Sequence, residues 1–154
     1  MRQETGRSGG QEDVGPARLD AWRFSDDLAV EIFTVSRRLP ADLRWLSSQI
    51  LRAATSAPAN ITEGYARTSK KEFLQFLSVA RSSLAEVEYW LHFVHRVELL
   101  DDDSYTRLSS IRKNAARTLF GLMRSVRSKL APSERTTPSV REPRDDSDPE
   151  GEAT

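Results

Sequence analysis

The chain contains no cysteine, which excludes disulfides, thiolate metal sites and a cysteine nucleophile. Glycine is almost missing from its middle. Of seven glycines only Gly64 and Gly121 lie between residues 18 and 131, so no glycine-rich phosphate loop fits there. Serine is plentiful, yet no Gly-x-Ser-x-Gly elbow surrounds any of them. No apolar run reaches the ~18 residues of a membrane span, and the N-terminus lacks a hydrophobic signal core. A cytoplasmic protein with no membrane partner is the expectation. Period-two alternation and hairpin turn signals are also missing between residues 18 and 131, which argues against a sheet.

Histidine is scarce too. His92 and His95 are the two in the chain, and their spacing on a helix would let them share a metal. A metal site takes three or four ligands, and no third is evident, so neither metal nor cofactor is expected. His92 also follows Glu88 by four residues, the spacing of an ordinary helical ion pair.

What remains is a helical pattern between two polar ends. The length of 154 residues fits one domain. Residues 1–17 and 132–154 carry few large apolar side chains and are expected to be disordered tails around a folded unit at 18–131. Charge is unevenly spread. Residues 18–131 hold 18 Lys and Arg against 13 Asp and Glu, while 132–154 hold 3 against 7. A mildly basic domain thus carries an acidic tail, either a solubilising end or a competitor for nucleic acid on a basic face.

Four amphipathic helices are read from their periods. The first is expected at Ser25–Arg38, with Ser25, Asp26 and Asp27 as its cap and Phe24, Leu28, Ile32, Val35 and Leu39 as its apolar stripe. Pro40 ends it. The second begins near Ala41 and runs past position 60 on Leu43, Leu46, Ile50, Ala54, Ala57 and Ile61. Pro58 removes one backbone donor and is expected to kink it, and Gly64 is read as a left-handed C-terminal cap. Ser69 and Glu72 form a capping box for the third, whose core stripe is Phe73, Leu77, Ala80, Leu84, Val87, Leu91 and Val94. The fourth spans Ser104–Leu130 behind Asp101, Asp102 and Asp103, which suit a helix N-terminus. Its core face is Leu108, Ile111, Ala115, Leu119, Leu122, Val126 and Leu130. Four helices with short connections predict an all-α, up-and-down four-helix bundle.

Three further faces are candidates for function. On the third helix a second stripe contains Val79, Ser83, Glu86, Trp90, Phe93 and Val97. A helix with two apolar faces needs two partners, so Val79, Trp90, Phe93 and Val97 are assigned to a subunit interface. On the second helix Arg52, Ser56, Asn60 and Glu63 are spaced four, four and three. They lack a nucleophile–base pair, and the choice is between a solvated face and a polar seam between subunits. The seam is preferred, with Arg81, Glu86 and Glu88 as charged partners for Arg52 and Glu63, which would make Glu63→Ala costly. On the fourth helix there are seven basic residues and no acidic one between Ser104 and Leu130. Lys113, Arg117, Arg124 and Arg127 share one face, a site for nucleic acid or a protein partner, or else a solvated exterior.

The chain resembles a known family through Gln49, Arg52, Ala53, Ser56, Pro58, Asn60, Ile61, Glu63 and Gly64. Glu72, Phe73, Leu77, Ala80, Arg81, Ser83, Leu84, Glu86 and Glu88 continue the likeness. These positions are similar to the small four-helix-bundle proteins first noticed as products of intervening sequences in bacterial large-subunit ribosomal RNA genes. That family also takes in the accessory variability determinant of diversity-generating retroelements. The likeness runs from about Leu19 to Leu130. It departs at Thr62, where a small residue such as Ala is usual, and at Ser82, where Gly is usual. The resemblance implies a ring-shaped homopentamer, in a family for most of whose members no biochemical activity is established. In the retroelement branch it implies binding to a reverse transcriptase and to RNA or DNA through a basic surface. The expectation is therefore a non-catalytic homo-oligomeric adaptor, with a protein-interaction module lacking any nucleic-acid partner as the alternative.

Overall fold

The computed structural model describes residues 15–130; the expectations for 1–14 and 131–154 lie outside those residues. A 3₁₀ turn at Gly15–Arg18 leads into α1 (Asp20–Ser36), and a second at Ala41–Leu43 leads into α2 (Arg44–Tyr65). Helices α3 (Lys70–Arg96) and α4 (Asp102–Ser128) complete the chain. Among the described residues there is no strand.

Short connections force each helix to return alongside the one before it. Accordingly α1 packs on α2 and α4, and α3 packs on α2 and α4, with no diagonal pairing among the described residues. The predicted bundle is the observed one. Its centre is the sum of the four apolar stripes: Leu28 and Ile32, Leu46 and Ile61, Leu77, Leu84 and Val87, and Leu108 and Leu119 are essentially inaccessible. Each such side chain contributes roughly 1.5–3 kcal/mol relative to exposure. On α4 two positions differ from the pattern. Leu130 is 44% exposed, beyond the end of α4, and Met123, which the pattern omitted, is buried in its place.

The ends of the helices correct several expectations. Helix α1 starts five residues before Ser25, behind Leu19, whose extended backbone supplies no side-chain cap. Ser25 is buried inside the helix and donates its hydroxyl to the Ala21 carbonyl at 2.6 Å. A Ser-Asp-Asp run looks like a cap, but here the helix's own carbonyl satisfies the serine. Gly64 is not a left-handed cap either. Among the described residues Gly15 is the one glycine with positive φ, and Gly64 lies buried within α2, which ends at Tyr65. A Cβ on Gly64 would stand 2.7 Å from Phe76 Cβ and 2.8 Å from Phe73 Cδ2. The glycine is there so that α2 and α3 can touch. Ser82, by contrast, is exposed and donates to the Ser78 carbonyl. Thr62 accepts the Trp22 indole N–H at 2.8 Å, tying α1 to α2.

At the third helix Ser69 Oγ accepts the Glu72 N–H at 3.4 Å, and this is the half of the capping box formed among the described residues. Asp101 caps α4 more fully. Its carboxylate accepts the Ser104 N–H at 2.8 Å and the Ser104 hydroxyl at 2.9 Å, and the backbone bond first, then the hydroxyl, holds its pKa below the usual 3.8. A depressed carboxylate pKa adds stability above the unfolded value and loses it as pH falls through the folded one. Asp101→Ala is therefore expected to melt below wild type at pH 7. The two melting curves should converge as the pH drops below 3.8; parallel curves down to pH 2 would show that the cap is not what the aspartate supplies.

Candidate nucleic-acid interface and subunit face

Two side-chain pairs fix how α3 lies against α4. Arg112 donates to Glu88 Oε1 at 2.7 Å, and the His95 ring stacks on Tyr105 with centroids 4.1 Å apart and planes at 8°. Arg112 keeps only 13% of its side chain in solvent. Arg107 of α4 is paired with Glu31 of α1. Two of the basic residues of α4 are therefore neutralised by the flanking helices. The others point away from the bundle.

Lys113, Arg117, Arg124 and Arg127 are all exposed, as their spacing predicted. At about 100° per residue they fall within an arc of roughly 80°, and Lys113 and Arg127 stand about 21 Å apart along the axis. Among the described residues none of the four is in an ion pair; Arg117 donates to Asn114 Oδ1 at 3.3 Å. Two members of this surface escaped the sequence pattern. Phe120 lies inside the same arc and is 59% exposed, the highest value among the large apolar side chains of the described residues. Arg81 of α3 is seven residues before Glu88, hence about 20° from it around the helix and on the α4 flank. The register set by Glu88–Arg112 and His95–Tyr105 brings Arg81 level with Leu119 along the bundle.

The second face lies across the bundle, between α2 and α3. Ser83 Oγ sits 2.9 Å from Ser56 Oγ and 3.0 Å from the Val79 carbonyl, donating to one or the other. Asn60 Nδ2 donates to the Ser56 carbonyl at 2.8 Å and to Ser56 Oγ at 3.1 Å. The polar face of α2 is thus not opposite its core stripe. Ser56 and Asn60 are half-buried on the flank that meets α3, while Arg52 and Glu63 remain exposed. The antiparallel register, set by Ser56–Ser83 and Gly64–Phe76, brings Asn60 level with Val79 and Gln49 level with Trp90. The polar seam and the apolar stripe, read as separate features, are two edges of one surface.

On that surface Val79 and Val97 are 48% and 44% exposed. Trp90 and Phe93 are half-buried, with ring centroids 6.0 Å apart, and Tyr89 lies 5.2 Å from Trp90. Within the single chain the partners of Arg52 and Glu63 lie on or next to α2 rather than on α3. Arg52 donates to Gln49 Oε1 at 2.5 Å, and Glu63 pairs with Arg67 at 2.6 Å, four residues on. Arg81 and Glu88 face α4, and Glu86 accepts the Trp90 indole N–H at 3.3 Å. An exposed i,i+4 pair contributes a few tenths of a kcal/mol, so within one chain Glu63 is no keystone.

His95 Nε2 lies 2.7 Å from Asp102 Oδ1, and the Glu88 carboxylate that His92 was spaced to meet is held by Arg112. Among the described residues no three His, Asp or Glu side chains gather as a metal site. No described helix is long and apolar enough to cross a membrane.

The family profile described as 23S rRNA-intervening sequence protein matches residues 17–121 of the chain. The crystal structure of a protein with unknown function from the S23 ribosomal protein family of Bacteroides thetaiotaomicron is similar to it. That likeness has a TM-score of 0.63 and 28% sequence identity, covering 67% of this chain and 97% of the other. Among curated proteins there is no match.

Proposed function

The chain belongs to the 23S rRNA-intervening sequence protein family, and on that premise we propose that it acts as a non-catalytic homo-oligomeric adaptor. Its basic outer helix holds nucleic acid, or a nucleic-acid enzyme such as a reverse transcriptase, in place. The observation that carries this proposal is the outward stripe of Lys113, Arg117, Arg124 and Arg127, which has no acidic partner among the described residues. Like charges at i,i+4 repel by a few tenths of a kcal/mol, a cost that an anionic ligand would reverse.

The α2–α3 face supplies the second half. Val79, Trp90, Phe93 and Val97 form the apolar part, and Ser56, Asn60 and Ser83 set the register, with Arg52 and Glu63 at the rim. A second copy covering this face removes exposed aromatic and aliphatic surface from water. Repeated around a pentameric ring, the basic stripe recurs once per subunit, so weak single contacts combine through effective concentration.

The test is a titration of the full chain with structured RNA and with duplex DNA, beside a variant in which all four basic residues are Ser. Wild type is expected to bind both and the variant to lose at least about tenfold in affinity, through lost phosphate contacts. Equal binding by both proteins would remove the stripe as the site, and no binding by the wild type would remove nucleic acid from the account. The exposed apolar face would then favour the alternative, a protein-interaction module.

A further inference from the structure

An exposed phenylalanine in the middle of a basic stripe is costly to leave in water and does nothing for a phosphate. Phe120 is 59% exposed, on the same arc as Lys113, Arg117, Arg124 and Arg127. It stands three residues after Arg117 and four before Arg124, so one cation lies a helical turn away on each side. Arg81 of α3 stands at the same level of the bundle, on the flank that meets α4. Phe120 has no aromatic partner among the described residues, and Ala116, one turn back on its α3 side, is too short to cover it. The bundle core does not need this ring, since Leu119 and Met123 already fill that level of α4.

We infer that this face takes single-stranded nucleic acid, with Phe120 as a stacking platform for one unpaired base and the five cations tracking the backbone on either side. The inference rests on the proposed binding role of the stripe and deepens it. In a duplex the base faces are closed to a side chain on a helix exterior, and a phenyl ring has no hydrogen bond to offer a base edge. A single strand offers both things this surface presents partners for: a phosphate for each guanidinium and an open π-face for the ring. Recognition of this kind is tolerant of sequence, because every base has a face to stack.

The experiment measures anisotropy of a labelled oligothymidylate and of a labelled duplex of equal length. Wild type, Phe120→Ala and Phe120→Tyr are compared as full chains, with melting temperature and light-scattering mass recorded for each. Phe120→Ala is expected to lose about tenfold or more in single-strand affinity, in line with stacking losses on truncation to alanine. Phe120→Tyr should keep it, and duplex binding should stay the same in all three. An equal loss on single strand and duplex, or no loss on either, overturns the stacking role while leaving the basic stripe as a phosphate site. A drop in assembled mass for Phe120→Ala would assign the ring to a subunit contact and overturn it as well. If the wild type binds neither probe, the binding role itself has failed, which is a different result from a silent Phe120.

Discussion

Gly64→Val is expected to lower the melting temperature by about 10–20 °C. The added Cβ would meet Phe76 Cβ at 2.7 Å, an atom fixed to the α3 backbone that cannot swing away. Relief then requires α2 and α3 to separate along the flank where Ser56 meets Ser83. Overpacking of this kind costs typically 1–3 kcal/mol and occasionally more, and each kcal/mol moves a domain of this size by several degrees. Gly121 is the internal control. Nothing lies within 4 Å of a Cβ built there, so Gly121→Ala should gain roughly the 1 kcal/mol by which alanine exceeds glycine in a helix. The same residue type in two helices of one chain should respond with opposite signs. A Gly64→Val protein as stable as wild type would mean that the α2–α3 contact is looser than described.

Trp90→Glu is expected to dissociate the assembly. The wild-type chain should scatter light at micromolar concentration with several times the monomer mass. A carboxylate placed among Tyr89, Phe93 and the covering copy would be buried without a partner, which costs several kcal/mol per interface. Trp90 is also half-buried within its own chain, so Val79→Glu accompanies it. Val79 is 48% exposed in the single chain, and a charge there costs the monomer little. Monomeric mass with retained helicity for Val79→Glu is the expected result. A wild-type protein that is already monomeric would sink the interface assignment.

Much of the fold was legible because burial in a helix repeats with a fixed period. Leu28, Ile32, Leu84 and Leu119 could be placed in the core from spacing alone, and each is there. What failed depends on neighbours that sequence spacing does not encode. Ser25 resembles a cap, but the carbonyl that satisfies it belongs to a turn of helix begun earlier at Asp20. Gly64 resembles a helix end, but its reason is Phe76 on another helix. Register is the larger gap. Spacing leaves the rotation of α3 open; with Glu88 on Arg112, Arg81 lies on the α4 flank and away from Glu63 of its own chain. The same pairing sets Arg81 level with Leu119, on the flank nearest the basic helix. Phe120 falls on the outward arc by the same spacing that places the four cations, so that much of its exposure is legible in the sequence.

The salt dependence of binding tests the central claim most directly. If Lys113, Arg117, Arg124 and Arg127 neutralise phosphates, the logarithm of the duplex binding constant should fall linearly with the logarithm of salt concentration. The expected slope is about −3 to −4 for one stripe engaged, and steeper if several subunits bind together. The variant with all four residues changed to Ser should give a slope near zero. Wild-type binding that is absent, or that does not change between low and high salt, would contradict the account.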